Sequence, residues 1–153
     1  MTIGVISDTH GLLRDEAIES LQGSELILHA GDVGDPRILD RLRVIAPTIA
    51  VRGNVDSGAW ARSLPLTEVV EAGSLHLYML HEVSRLDLDP KAAGFAAVIY
   101  GHTHRPAADE RDGVLYLNPG SAGPRRFSLP ITVARLKVDG ARLTQEIVEL
   151  RVE

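Results

Sequence analysis

The chain contains no cysteine. Disulfides, thiolate metal ligands and cysteine nucleophiles are therefore excluded. No stretch approaches the roughly 18–20 apolar residues that a membrane-crossing helix needs. The first residues show no charged segment leading into an apolar run and a small-residue cleavage site; Thr2 to Ile6 reads instead as a strand. Internal repeats, low-complexity tracts, interdomain linkers and runs of like charge are also missing. Lysine is scarce, with only Lys91 and Lys137 among 16 basic residues, and 21 acidic residues leave a net charge of −5. That balance argues against a broad nucleic-acid surface, which needs clustered basic charge. It leaves a small anionic substrate open, because bound cations dominate the local field of a metal site. These absences together give the expectation of a cytoplasmic protein with no membrane contact.

The remaining composition describes a globular chain. Its 153 residues are 44% apolar, enough for one domain over residues 1–153 with a real core. The first third alternates strand and helix. Thr2 to Ile6 is followed by Arg14 to Gln22, where Ala17, Ile18 and Leu21 recur at helical spacing. Glu25 to His29 reads as the next strand. Asp35-Pro36 then opens a helix with Asp as N-cap and Pro at its first position. Ile38, Leu39, Leu42 and Ile45 form its apolar stripe, Pro47 stops it, and Thr48 to Val51 returns as a third strand. A βαβαβ order of this kind predicts a parallel sheet covered by helices.

Beyond that point strands dominate. Thr67 to Ala72 and Leu75 to Leu80 flank Gly73-Ser74 as a hairpin. Ala96 to Tyr100, Val114 to Leu117, Ile131 to Val138 and Arg142 to Leu150 follow, the last two joined by the turn pair Asp139-Gly140. A short helix is expected only near Asp89 to Ala93. The pattern as a whole is that of a mixed-sheet, layered α/β domain.

Polar clusters stand directly after these strands: Asp8-Thr9-His10, Gly31-Asp32, Gly53-Asn54, His81 and Gly101-His102-Thr103-His104. Ligands of open α/β sheets gather beyond the carboxyl ends of parallel strands. Asp, His and Asn carry the oxygen and nitrogen donors that divalent transition metals prefer. Seven such residues from five strand ends suffice for two cations side by side, with Asp32 as the bridging carboxylate. Two metals about 3.5–4 Å apart can activate a shared water and clamp the attacking and leaving oxygens of a phosphate ester. His29 and His76 read as strand residues, with His29 near enough in sequence to support Asp32 from behind.

The order Asp8-x-His10, Gly31-Asp32, Gly53-Asn54-x-Asp56, His81 and Gly101-His102-x-His104 resembles the calcineurin-like metallophosphoesterase superfamily. The small size and the segment Asn118-Pro119-Gly120-Ser121 are most similar to its YfcE-type phosphodiesterases. The resemblance implies an α/β layered sandwich of two mixed β-sheets flanked by helices. It implies one metal held by Asp8, His10, Asp32 and His104, and a second by Asp32, Asn54, His81 and His102. It implies two divalent ions, Mn²⁺ foremost with Ni²⁺, Fe or Zn²⁺ as substitutes, and catalysis centred on Asp32, Asn54, His81 and His102. The activity implied is hydrolysis of small phosphodiesters by a metal-bridging hydroxide. Phosphomonoester hydrolysis on the same site is the alternative, as is a protein-interaction scaffold like the retromer subunit of this superfamily. Relatives often form homo-oligomers.

Two positions depart from the superfamily pattern. Val55 stands where many phosphatases carry a histidine that helps protonate the leaving group. Acidic leaving groups such as aryl alcohols should therefore be favoured. Glu82-Val83 replaces the usual Gly-His after His81, and Glu82 is expected to point to solvent rather than orient His81. Arg125 and Arg126 are expected at the surface.

Overall fold

The computed structural model describes residues 1–152. Its helices and strands follow the order β1 (Thr2–Ile6), α1 (Asp15–Leu21), β2 (Leu26–His29), α2 (Pro36–Ile45), β3 (Thr48–Ala50), α3 (Ala59–Arg62), β4 (Thr67–Ala72) and β5 (Leu75–Leu80). The chain then continues through β6 (Ala97–Ile99), β7 (Ala107–Arg111), β8 (Val114–Asn118), β9 (Thr132–Asp139) and β10 (Arg142–Glu149). Two five-stranded sheets result, ordered β10-β9-β1-β2-β3 and β4-β5-β6-β8-β7. In the first, β1, β2 and β3 run parallel, while β9 and β10 complete it antiparallel. In the second, β5, β6 and β8 are parallel, with β4 and β7 antiparallel at its edges.

The sheets stack face to face because alternate residues of each are apolar. Ile3, Val5, Leu26 and Leu28 of the first sheet meet Leu77, Met79, Ile99 and Leu117 of the second in one buried core. The intervening residues point the other way, as the two-residue period of a strand requires. Ile6 and Ile27 thus face α1 and α2, packing with Ala17, Leu21, Leu39 and Leu42. Helix α2 starts as its sequence predicts: the Asp35 side chain accepts from the Arg37 amide at 2.9 Å, and Pro36 occupies the first position.

The outer face of the second sheet is covered differently. Tyr78, Leu80, Val98 and Tyr100 pack beneath Val83, Leu86, Leu88 and Phe95 from an irregular segment. The helix expected at Asp89 to Ala93 is a set of turns instead. The Asp89 carboxylate accepts the Lys91 and Ala92 amides, and the Ala93 amide reaches the Asp89 carbonyl. Pro90 and the left-handed Gly94 leave too few residues between them to nucleate a helix. Three further elements lay outside the sequence expectations: α3, a single 3₁₀ turn at Val83–Arg85, and β7. The last pairs with β8 across Asp112-Gly113, both at positive φ, the geometry of a tight hairpin turn.

Candidate metal centre

The polar clusters all leave carboxyl ends of parallel strands: β1, β2 and β3 in one sheet, β5 and β6 in the other. Stacking the sheets brings both sets of loops to one rim. The β1 loop is laced to the β2 loop by continuing backbone bonds, Asp8 N–H to Gly31 at 3.0 Å and His10 N–H to Asp32 at 3.0 Å. The Gly101 amide in turn donates to the His81 carbonyl at 3.0 Å. A Cβ on Gly53 would collide with Asp32, and one on Gly101 with Ser7 and Asp8. Glycine at these two places is what lets the loops approach.

Two groups of donor atoms converge: Asp8, His10 and His104 in one, and Asp32, His81 and His102 in the other. Asp8 is fully buried. Its Oδ2 accepts from the Ser7 hydroxyl at 2.7 Å and the His102 amide at 3.0 Å. Its Oδ1 faces the Nε2 atoms of His104, His10 and His81 at 3.4, 3.6 and 3.8 Å. Asp32 bridges the two groups, with Oδ2 lying 3.1 Å from His81 Nε2 and 3.7 Å from His10 Nε2. The Val55 amide holds its Oδ1 at 2.9 Å. Asn54 joins through Oδ1, which accepts from His102 Nδ1 at 3.1 Å. All seven residues singled out in the sequence are therefore gathered at one place.

The rings are held so that lone pairs turn inward. His81 Nδ1–H donates to the Ala30 carbonyl at 2.7 Å, which leaves Nε2 as the basic nitrogen of the neutral ring. Glu82 does not share in this; it lies beside Arg85 at 3.5 Å. Among the described residues, Asp8 Oδ1, His81 Nε2 and His104 Nδ1 are buried without a hydrogen-bond partner. Buried polar atoms are seldom left so. Asp8 Oδ1 and His81 Nε2 lie within the cluster itself, and orphaned atoms of this metal-ligating kind fit divalent cations.

Electrostatics point the same way. Burial alone would raise the Asp8 carboxyl, but the surrounding His10, His104 and His81 outweigh it and hold it far below the usual carboxylate range. Asp32 follows the same logic: burial pushes it up, and His81 and the Val55 amide bring it below its ordinary value. Burial would lower His81, yet Asp32 and Asp8 raise it. Both carboxylates thus stay ionised near neutral pH, the charge state that a cation requires of them.

The backbone is strained here. Among the described residues, seven non-glycine residues have positive φ, and five of them are candidate site residues: Asp8 at 54°, His10 at 46°, Asp32 at 56°, His102 at 76° and His104 at 64°. Left-handed backbone costs an L-residue about 1–2 kcal/mol. Such strain persists only where surrounding structure enforces it, commonly at functional sites.

The enforcing residues were mostly passed over in the sequence. Asp56, seen there only as part of a motif, accepts the amides of Gly53 at 2.9 Å, Gly34 at 2.9 Å and Val33 at 3.2 Å, cinching the β2 and β3 loops together. Asn118 donates to Gly101 and Thr103, and Ser121 donates to the Asp8 carbonyl. His29 supports the site from behind. Its Nδ1 accepts the Gly31 amide at 3.1 Å and its Nε2 lies 3.0 Å from Thr9 Oγ1, whose hydroxyl donates to Val33. His76, 51% exposed beside Glu71, lies out on the β4–β5 hairpin. Arg125 and Arg126 are exposed.

Comparison with known proteins agrees with this geometry. The model of the calcineurin-like phosphoesterase superfamily domain matches residues 1–141. A probable metallophosphoesterase of Methanothermobacter thermautotrophicus is 34% identical over 160 residues, spanning 97% of this chain and 92% of the relative. The phosphodiesterase YfcE of Escherichia coli is 28% identical, over 91% of this chain and 89% of its own. Among solved structures, Vps29 of Chaetomium thermophilum superposes with a TM-score of 0.85 at 26% identity, covering 99% of this chain and 89% of that one. No helix among the described residues is long and apolar enough to cross a membrane. The chain belongs to the calcineurin-like phosphoesterase superfamily.

Proposed function

We propose that the chain is a metal-dependent phosphodiesterase with a binuclear centre at this rim, acting in the cytoplasm on small phosphate esters. Asp8, His10, Asp32 and His104 would hold one divalent cation, and Asp32, Asn54, His81 and His102 the other, with Mn²⁺ the metal expected. The observation that carries the reading is the pair of His/Asp groups joined through Asp32, with the buried Asp8 Oδ1 and His81 Nε2 left without hydrogen-bond partners between them. Cations bound there would lower the pKa of a coordinated water and offset the negative charge of the phosphate oxygens.

The chain's own groups set the rest. Asp8 fixes the His102 backbone, while Asn54 fixes the His102 ring. Ala30 sets the His81 tautomer. Val55, 49% exposed beside Asn54, has no proton to donate. Without a general acid at that position, expulsion of a basic alkoxide is slow and aryl leaving groups are favoured. Naming of relatives as phosphodiesterases supports diesters over monoesters.

The test is turnover of bis-p-nitrophenyl phosphate and p-nitrophenyl phosphate after exhaustive chelation, then with Mn²⁺ restored. Activity should vanish and return, with the diester faster. Full activity in the chelated protein would refute the metal mechanism; a faster monoester would reassign the substrate. The likeness to Vps29 favours a protein-interaction role as the second reading. Asn54→Ala should abolish hydrolysis; if the parent has none either, that second reading takes over.

A further inference from the structure

A cavity of about 340 Å³ opens directly beside the centre, with Asn54 and His81 in its wall. Leu66, 61% exposed, and Leu80 give it an apolar lining. Arg52 and Arg85 both line it, and their situations differ. Arg85 stands 3.5 Å from Glu82, itself part of the wall, so its charge is offset. Arg52 is partly buried, and its backbone is fixed by a 2.8 Å amide bond to Pro65. Arg14, Arg37, Arg41 and Arg135 all donate to carbonyls or carboxylates. The Arg52 guanidinium has no such partner among the described residues. It is an uncompensated cation in an apolar groove, two residues before Asn54.

We infer that Arg52 is the specificity residue of this groove, binding a second anionic group of the substrate. The preferred diester then carries a second phosphate on an apolar body that lies along Leu66 and Leu80. The two-residue separation limits the Arg52 and Asn54 Cα atoms to at most about 7 Å apart. Arg52 and Asn54 therefore line the same end of the groove. A guanidinium suits it because its planar fork matches phosphate oxygens in pairs. This assignment rests on the metal-centre reading above, which supplies the site for the first phosphate.

Calorimetry of the Mn²⁺-loaded protein with thymidine 3′,5′-bisphosphate and thymidine 5′-phosphate tests it. Wild type should bind the bisphosphate about tenfold or more tightly, the range of a charge-assisted hydrogen bond pair. Arg52→Gln should bring that ratio to about one or two, and Arg52→Lys should keep part of it. Arg43→Gln, on α2, controls for net charge and should retain the ratio. The same ratio should appear in KM for p-nitrophenyl esters of thymidine 5′-phosphate with and without the 3′-phosphate. A ratio near one in wild type, or a ratio that survives Arg52→Gln, overturns the Arg52 assignment alone. If neither ligand binds the wild type, the metal-centre reading beneath it falls as well.

Discussion

Replacing His102 by glycine and, separately, by alanine isolates the backbone strain of the site. His102 is exposed with φ of 76°, so neither variant leaves a buried cavity. Both lose the ring contact to Asn54, and that loss cancels in the comparison. What remains is the left-handed conformation, which costs alanine about 1–2 kcal/mol and glycine nothing. Against this stands the extra chain entropy that glycine forfeits on folding, about 0.5–1 kcal/mol. The metal-free glycine variant should be at least as stable, by about 0–1.5 kcal/mol, or up to roughly 4 °C in Tm for a chain of this size. Val44, 87% exposed on α2, provides the control. There the ordinary helix preference applies and alanine should exceed glycine by about 1 kcal/mol. Thermal and urea unfolding in the presence of a chelator read both pairs. An alanine variant at 102 that exceeds the glycine one by the margin seen at Val44 would refute the claim that this rim is conformationally strained.

Metal should stabilise the fold. A cation at 100 times its dissociation constant adds about 2.7 kcal/mol per site. A Tm rise of several degrees with Mn²⁺, reversed by chelation, is expected, and an unchanged Tm would contradict binding. Acid should destabilise the metal-free protein through His29. Burial lowers its pKa from 6.5 to about 4, so the folded state favours the neutral ring. Its contribution is complete above pH 6.5 and is lost as pH falls from there toward 4, by about 3 kcal/mol. The stability difference between wild type and His29→Gln should shrink by that amount between pH 7 and pH 4; a constant difference would disprove the role. Asp56→Ala strands three backbone amides and should cost about 3 kcal/mol. It should also weaken metal binding in a titration, since the freed loops carry Asp32 and Asn54; unchanged affinity would show the cinch is dispensable.

Much of the fold, and the seven polar residues that gather at the rim, were legible in the residues themselves. Two-residue and helical periodicities located most elements, because each depends on neighbours a few positions away. The helix start at Asp35-Pro36 and the turn at Asp139-Gly140 are local in the same sense. The seven candidate donors stood out because each follows an apolar strand, and loops at parallel strand ends have only one rim to occupy. Where local signals conflicted, the reading failed. Pro90 and Gly94 outweighed a helical pattern at Asp89 to Ala93. The edge strand β7, three of its five residues polar and exposed, lacked an apolar pattern to announce it.

The sequence alone thus determined the kinds and order of most elements and the chemistry available at their ends. Tertiary structure decided which strands neighbour one another, setting β8 beside β6 rather than between its chain neighbours. It also decided that five of the site residues turn left-handed, and that Asp56, Asn118, Ser121 and His29 hold them there. Those contacts join positions as much as 113 residues apart. No local pattern encodes such a pairing, because it exists only once two separate apolar faces have been buried against each other.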